Sequence, residues 1–414
     1  MDKQQESDNI TDNITDNITD NIIDNIIDKK DNTDDKNLMN YSFEDLDLND
    51  DLLRGIYSYG FEKPSKIQYK SIPFIKSGKD IIAQSQSGTG KTGAFSIGIL
   101  NNIDTKIKKT QYIVLTPTHE LAKQIYSVIE NLGARMDITM CKVIGKTNIN
   151  ESIIELKRDP QIIVATPGRL FDMINKRHIF TDNVKTLVLD EADEMLSSGF
   201  MEILYEIIKC MPKTCQMCLF SATMPKEILD LTDNFMNNPE RLLINKEELT
   251  LEGIKQFYID LKQYNWKFDV LYDIYDTINI TQSIIYVNSK NILNNLYDRL
   301  SKDNYPVSYI HGDMQTFERE KNLNDFKNGI TRIMLSTDLL SRGIDIQQLS
   351  LVINFDLPRN KETYIHRIGR SGRYGRKGTA INFVTSEDLA HMKEIEDFYN
   401  TKIEEMPQNL ADYL

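Results

Sequence analysis

The sequence predicts an α/β protein of two tandem domains, each a parallel sheet flanked by helices, and three observations carry that expectation. At 414 residues the chain exceeds what one hydrophobic core ordinarily supports. Short β-branched apolar runs alternate with longer amphipathic stretches, the pattern of parallel βαβ units. The rhythm stops at a charged stretch around 246–253 and then restarts. The implied division is a tail over 1–40, a first domain over 41–245, a linker over 246–254 and a second domain over 255–414.

The tail comes first. From Asp8 to Ile27 a four-residue unit repeats, Asp-Asn-Ile-Thr three times and Asp-Asn-Ile-Ile twice. On a helix Ile10, Ile14, Ile18, Ile22 and Ile26 would form one narrow stripe, but Asn, Asp, Thr and Ile are mediocre helix formers. A disordered, acidic, low-complexity segment without chemistry is the expectation. It holds 11 acidic and 4 basic residues, a net of −7 out of the chain's −13, so the body carries −6. A body that mildly acidic has no polybasic stripe, and nucleic-acid binding would have to rest on local contacts.

Composition excludes several classes. With 40% hydrophobic and 27% charged residues the chain is that of a soluble globular protein. No apolar run approaches the roughly 20 residues of a membrane span. The acidic, Asn-rich start is unlike a secretory leader, so the expected address is intracellular, without a membrane. Cys141, Cys210, Cys215 and Cys218 are too few and too unevenly spaced for a disulfide framework. Cys215 and Cys218 form a C-x-x-C pair with no second pair at zinc-site spacing, so ordinary buried thiols are expected.

In the first domain, buried strands are predicted at Asp80–Ala83, Tyr112–Thr116, Ile162–Ala165, Thr186–Asp190 and Met217–Ser221. In the second they fall at Ser283–Val287, Val307–His311, Arg332–Ser336, Leu351–Phe355 and Thr379–Val384. Ligands of such domains sit at the carboxyl ends of the strands.

The first strand runs into Ser85-Gln86-Ser87-Gly88-Thr89-Gly90-Lys91-Thr92 and then an apolar helical stretch. Glycines there let backbone N–H groups turn onto phosphate oxygens, Lys91 reaches the β- and γ-phosphates, and Thr92 offers a hydroxyl to Mg²⁺. Ser85 stands where the general phosphate-loop pattern has its first glycine. The strand Leu187–Leu189 delivers Asp190-Glu191-Ala192-Asp193 at its carboxyl end. Asp190 can hold Mg²⁺ through water, and Glu191 can orient and deprotonate the attacking water. Far along the chain, Tyr364 to Arg373 (Tyr-Ile-His-Arg-Ile-Gly-Arg-Ser-Gly-Arg) places arginines three apart among glycines, and guanidinium forks suit phosphate oxygens. As the lesser alternative, a basic Gly-rich loop of this kind could simply contact RNA.

With these elements in place, Leu189–Leu196, Ser221-Ala222-Thr223 and His366–Arg373 resemble the signature motifs of the DEAD-box RNA helicases. The similarity covers residues 41–414. It is close to the initiation factor 4A subgroup in Tyr59–Ser65 leading to Gln68, in His311-Gly312-Asp313-Met314 and in Glu404-Glu405-Met406-Pro407. The resemblance implies two RecA-like domains that use ATP and Mg²⁺ and act on single-stranded or weakly structured RNA.

Position by position, it implies that Phe61 stacks on adenine and Gln68 reads its edge, with Ser87, Gly88, Thr89, Gly90, Lys91 and Thr92 on the phosphates. Asp345 touches the ribose, and Arg370 and Arg373 act as fingers. Ser221, Thr223 and His366 couple hydrolysis to duplex opening. The matching RNA contacts are Pro117, Thr118, Gly145, Thr166 and Arg169 in the first domain and His311, Arg319 and Thr337 in the second. A protein regulator bridging the two domains, action as a monomer, and a cytoplasmic rather than nuclear address are further implications. Three positions depart from the family pattern: His119 for an arginine, Lys146 for a glycine and Thr316 for a glutamine. The missing arginine predicts a looser RNA grip, and Lys146 offers a replacement phosphate contact. RNA-stimulated ATP hydrolysis with local, sequence-independent unwinding is the leading expectation, in translation initiation or mRNA handling. A slow-turnover, ATP-locked RNA clamp serving as an assembly platform is the alternative.

Overall fold

The computed structural model describes residues 41–85, 88–145, 147–197, 199–224, 226–242, 254–278, 280–341, 349–371 and 378–407. The tail, nearly all of the expected linker, and Ser87, Lys146, Asp345 and Arg373 lie outside the described residues.

Strands of a parallel sheet covered on both faces must be apolar throughout, and the chain supplies such runs. The first sheet contains Ile81–Gln84 (β1), Tyr112–Leu115 (β2), Met140–Val143 (β3), Ile162–Ala165 (β4), Thr186–Asp190 (β5), Gln216–Ser221 (β6) and Glu240–Leu242 (β7). The second contains Ile254–Asp260 (β8), Ser283–Tyr286 (β9), Val307–Ile310 (β10), Ile333–Ser336 (β11), Leu351–Asn354 (β12), Gly378–Val384 (β13) and Glu404–Glu405 (β14). The strand orders are β3-β4-β2-β5-β6-β1-β7 and β10-β11-β9-β12-β13-β8-β14, every pairing parallel.

Each sheet separates two cores. Along β1, Ile81 and Ala83 join one apolar cluster while Ile82 joins the other. In the second sheet Ile284 and Ile285 of β9 divide in the same way. Side chains alternate across a strand, so adjacent apolar residues serve opposite faces. Each fully buried Leu or Ile contributes about 1.5–3 kcal/mol by leaving water.

All ten predicted strands are present, with ends shifted by no more than a residue. Four others, β3, β7, β8 and β14, were not anticipated. β3, β7 and β14 are edge strands, and β8 is half-exposed with Lys255 and Asp260 along it. The cysteines are free thiols, with Cys141 and Cys218 buried. No helix among the described residues is long and apolar enough to cross a membrane.

Candidate functional site

The phosphate loop leaves β1 and enters the helix Lys91–Asn101. Gly88 and Gly90 have φ of 83° and 100°, a region open to glycine at little cost. Lys91 is buried, and its Nζ donates to the Ser85 carbonyl at 2.7 Å. Thr92 follows it in the first turn. Gln68, on the helix Lys66–Lys76, accepts from the Ser65 N–H at 2.9 Å and donates from Nε2 to the Gly90 carbonyl at 3.2 Å. A Cβ on Gly93 would lie 2.5 Å from Gln68 Nε2 and 3.1 Å from Phe61 Cε2. Gly93 is therefore what lets Phe61 and Gln68 sit against the phosphate-loop helix, a role the sequence did not disclose.

At the end of β5, Asp190 and Glu191 are both buried. Burial, reinforced by the neighbouring Glu191 charge and opposed by Lys91, pushes the Asp190 carboxyl up to about 7. Its Oδ1 is buried without a hydrogen-bond partner among the described residues. A buried, unpartnered carboxylate oxygen of this kind, within electrostatic reach of Lys91, fits a hard, oxygen-loving cation such as Mg²⁺. Glu191 has φ of 52°, the left-handed region, and turns the chain from β5 into the helix Ala192–Ser197.

Asp193 is the hub. Its Oδ2 accepts from Thr223 Oγ1 at 2.7 Å and lies 3.2 Å from His366 Nε2, while its N–H donates to Ser221 Oγ at 3.4 Å. One carboxylate thus joins the segment after β6 to the second domain. Glu191, Asp193 and His366 bring ligand atoms within 4.8 Å of one another. His366 is fully buried on the helix Lys361–Ile368, and just past the end of that helix Arg370 Nε donates back to the His366 carbonyl at 3.1 Å.

Arg367 faces the opposite way. Its guanidinium donates to Asp338 Oδ1 (2.6 Å), Asn354 Oδ1 (3.2 Å), the Asp356 carbonyl (2.7 Å) and Asn288 Oδ1 (2.8 Å), which fixes the helix that carries His366 and leads into Arg370. Asp193 and Arg367 stood inside the predicted motifs without an assigned role. Their partners are distant in sequence, and no spacing rule reveals them.

The residues predicted to face RNA occupy the other half of each rim. Pro117 and Thr118 follow β2, Gly145 follows β3, and Thr166 and Arg169 follow β4. Thr118 caps the helix His119–Leu132 by accepting from Leu121 N at 3.3 Å, and Gly145 N donates to Thr166 Oγ1 at 3.2 Å. Arg169 donates to the Thr147 carbonyl at 3.0 Å. His119 fills the space beside Gly145, with Nε2 3.1 Å from where a Cβ would stand. In the second domain His311 follows β10 and Thr337 follows β11. Burial holds the His311 imidazole below its ordinary value.

Arg319, on the helix Thr316–Lys327, lies close enough to His311 for its charge to act on that imidazole. It is 3% exposed, and its Nη1 donates to Glu120 of the first domain at 2.8 Å, so its guanidinium serves the domain boundary.

Two family models match: the DEAD/DEAH box helicase over residues 65–231 and the helicase conserved C-terminal domain over 266–375. An ATP-dependent RNA helicase eIF4A of Meyerozyma guilliermondii is 53% identical over 372 residues, covering 90% of this chain and 94% of that protein. Saccharomyces cerevisiae Dbp5 bound to RNA and ADP BeF3 superposes with a TM-score of 0.84 at 37% identity, over 90% of this chain and 97% of that one. A variant of Dbp5 bound to Nup159, Gle1, IP6 and ADP reaches 0.62 at 36% identity, over 88% and 96%. The two domains here are therefore arranged more as in the RNA-bound Dbp5. On its matched domains, its eIF4A-like sequence and its tandem parallel sheets, the chain belongs to the DEAD-box family of ATP-dependent RNA helicases.

Proposed function

We propose that the chain couples ATP hydrolysis to local, sequence-independent opening of RNA, with hydrolysis switched on by RNA. The observation that carries this reading is the Asp193 carboxylate, which holds Thr223 of its own domain and His366 of the other at one oxygen. Such a contact exists only when the domains are closed, so a site completed by closure depends on whatever closes it.

In this reading Phe61 and Gln68 select adenine, and the Gly88–Thr92 backbone with Lys91 holds the phosphates. Glu191, fixed in its turn, accepts a proton from the attacking water. Arg370, with Arg373, stabilises charge that develops on the γ-phosphoryl group, an effect worth on the order of a thousandfold or more in rate. Asp190 and Thr92 would hold Mg²⁺, which when bound neutralises phosphate charge. Asp345 completes the ribose contact.

RNA lies along Pro117, Thr118, Gly145, Thr166 and Arg169, then His311, Arg319 and Thr337, through sugar and phosphate contacts that carry no base sequence. Support comes from the RNA in the Dbp5 complex that this chain resembles. The eIF4A name of the relative supports a role in translation initiation, hence a cytoplasmic address. Protein-bound forms of Dbp5 support a regulator that bridges the domains of a monomer.

The test is steady-state ATP hydrolysis with and without single-stranded RNA, beside Glu191→Gln. Strong RNA stimulation is expected, lost by at least about a hundredfold in the variant, which still retains RNA when ATP is present. Absence of RNA stimulation would refute the helicase reading, and negligible turnover with ATP-dependent RNA retention would return the clamp.

A further inference from the structure

Two departures from the family pattern, His119 and Thr316, are the first residues of the helices that meet across the domain boundary, His119–Leu132 and Thr316–Lys327. Four residues further along each helix stand Lys123 and Glu320, and side chains so spaced share a helix face. Lys123 and Glu320 form an ion pair across the boundary. Beside it the Glu120–Arg319 pair runs in the opposite sense, acid on the first domain and base on the second, at 2.8 Å. Each helix therefore presents one acid and one base, and the four charges alternate.

Neither pair can form unless the domains are apposed, so its free energy belongs to the closed state alone and shifts the balance between open and closed. Glu120–Arg319 is buried, with side chains 7% and 4% exposed, whereas Lys123 and Glu320 remain 33% and 47% exposed. The outer pair is consequently weaker and open to screening by salt.

We infer that Lys123 and Glu320 are positioning residues for the RNA-stimulated reaction: by pairing only on closure they set how much RNA is needed to close the domains. They touch neither nucleotide nor RNA in this assignment. The inference rests on the RNA-dependent ATPase reading above and adds to it residues outside every motif.

The experiment compares the full chain with Lys123→Glu, Glu320→Lys and the double swap, titrating single-stranded polyuridine RNA at saturating Mg-ATP. Each single reversal is expected to raise the half-stimulating RNA concentration about threefold to tenfold, since an exposed pair is exchanged for repulsion. Turnover at saturating RNA should stay within about twofold, and the double swap should restore the half-stimulating concentration. Raising salt should shrink the differences.

A merely structural role would lower turnover and melting temperature together and would not be rescued by the swap. Single variants equal to the parent, or a double swap as impaired as the sum of the singles, would overturn the inference. If a reversal does not fold, Lys123→Gln should shift the RNA requirement in the same direction by about twofold, and no shift would count against the pair. Fluorophores on the two domains, read with RNA and a non-hydrolysable ATP analogue, report closure without catalysis. Parent protein that closes only with both ligands, and single variants that need more RNA to do so, support the inference even if turnover fails. The loss of RNA-stimulated turnover in the parent would then refute the ATPase reading by itself.

Discussion

Glu191 adopts a left-handed backbone, φ 52°, at the point where β5 must turn abruptly into a helix. Non-glycine residues in that region cost on the order of 1 kcal/mol or more, so the turn is held by what surrounds it. Asp190 beside it adds a second cost, because burial has raised its carboxyl to about 7. The sign follows from linkage: a raised pKa means the folded state holds the proton more tightly than the unfolded one. The stability associated with that proton is present in full below the ordinary carboxylate range and is lost as pH rises through about 7. Asp190→Asn should therefore melt higher than the parent in the ligand-free state at pH above that value. The gain should amount to about 2–4 °C per kcal/mol of penalty removed. Thermal unfolding below the ordinary carboxylate range should show the advantage gone, because the carboxyl is then neutral in the folded and unfolded states alike. A pH-independent difference would attribute the effect to packing. The sequence disclosed Asp190 and Glu191 as a carboxylate pair on a strand end but not the turn geometry, since nothing in Asp-Glu-Ala-Asp marks a positive φ.

At the scale of elements, the proposed nucleotide site depends on how closely two helices approach. Gly93 sits one turn into the Lys91–Asn101 helix, and any side chain there meets Gln68 and Phe61. Gly93→Ala should displace both and raise the KM for ATP about tenfold, a loss near 1.4 kcal/mol. Discrimination between ATP and GTP should narrow with it, which parallel kinetics with the two nucleotides would measure. An unchanged ratio would mean that Gln68 does not read the base. Element legibility had the same limit. Strands buried on both faces, such as Ile162–Ala165, announce themselves as unbroken apolar runs. Met140–Val143, with the charged, half-buried Lys142 in it, and Glu404–Glu405 do not, because an edge strand is half-solvated and its identity is decided by the neighbour it pairs with.

For the whole molecule, the contacts that closure makes among the described residues include His366 on Asp193, Arg319 on Glu120 and Lys123 on Glu320. A buried hydrogen bond to a charged group is worth about 1.5–3 kcal/mol, so His366→Ala should reduce RNA-stimulated turnover about tenfold to a hundredfold. Binding of ATP to the first domain should change little, as equilibrium binding of a fluorescent nucleotide without RNA would show. Comparable losses in both would place His366 in nucleotide binding instead. These contacts lay beyond sequence reasoning except through family resemblance, since each joins residues about 170 to 200 positions apart.

Both ligands are expected on one rim of the first sheet, nucleotide at the ends of β1, β5 and β6 and RNA at the ends of β2, β3 and β4, so in the proposed reading the second domain meets both rows when the domains close. Thermodynamic reciprocity then ties the two affinities to one number. Whatever factor ATP adds to the grip on RNA, RNA must add to the grip on ATP, and hydrolysis surrenders it from both at once. In the proposed cycle, release of the strand therefore follows from the loss of a phosphate and needs no track of base contacts to time it.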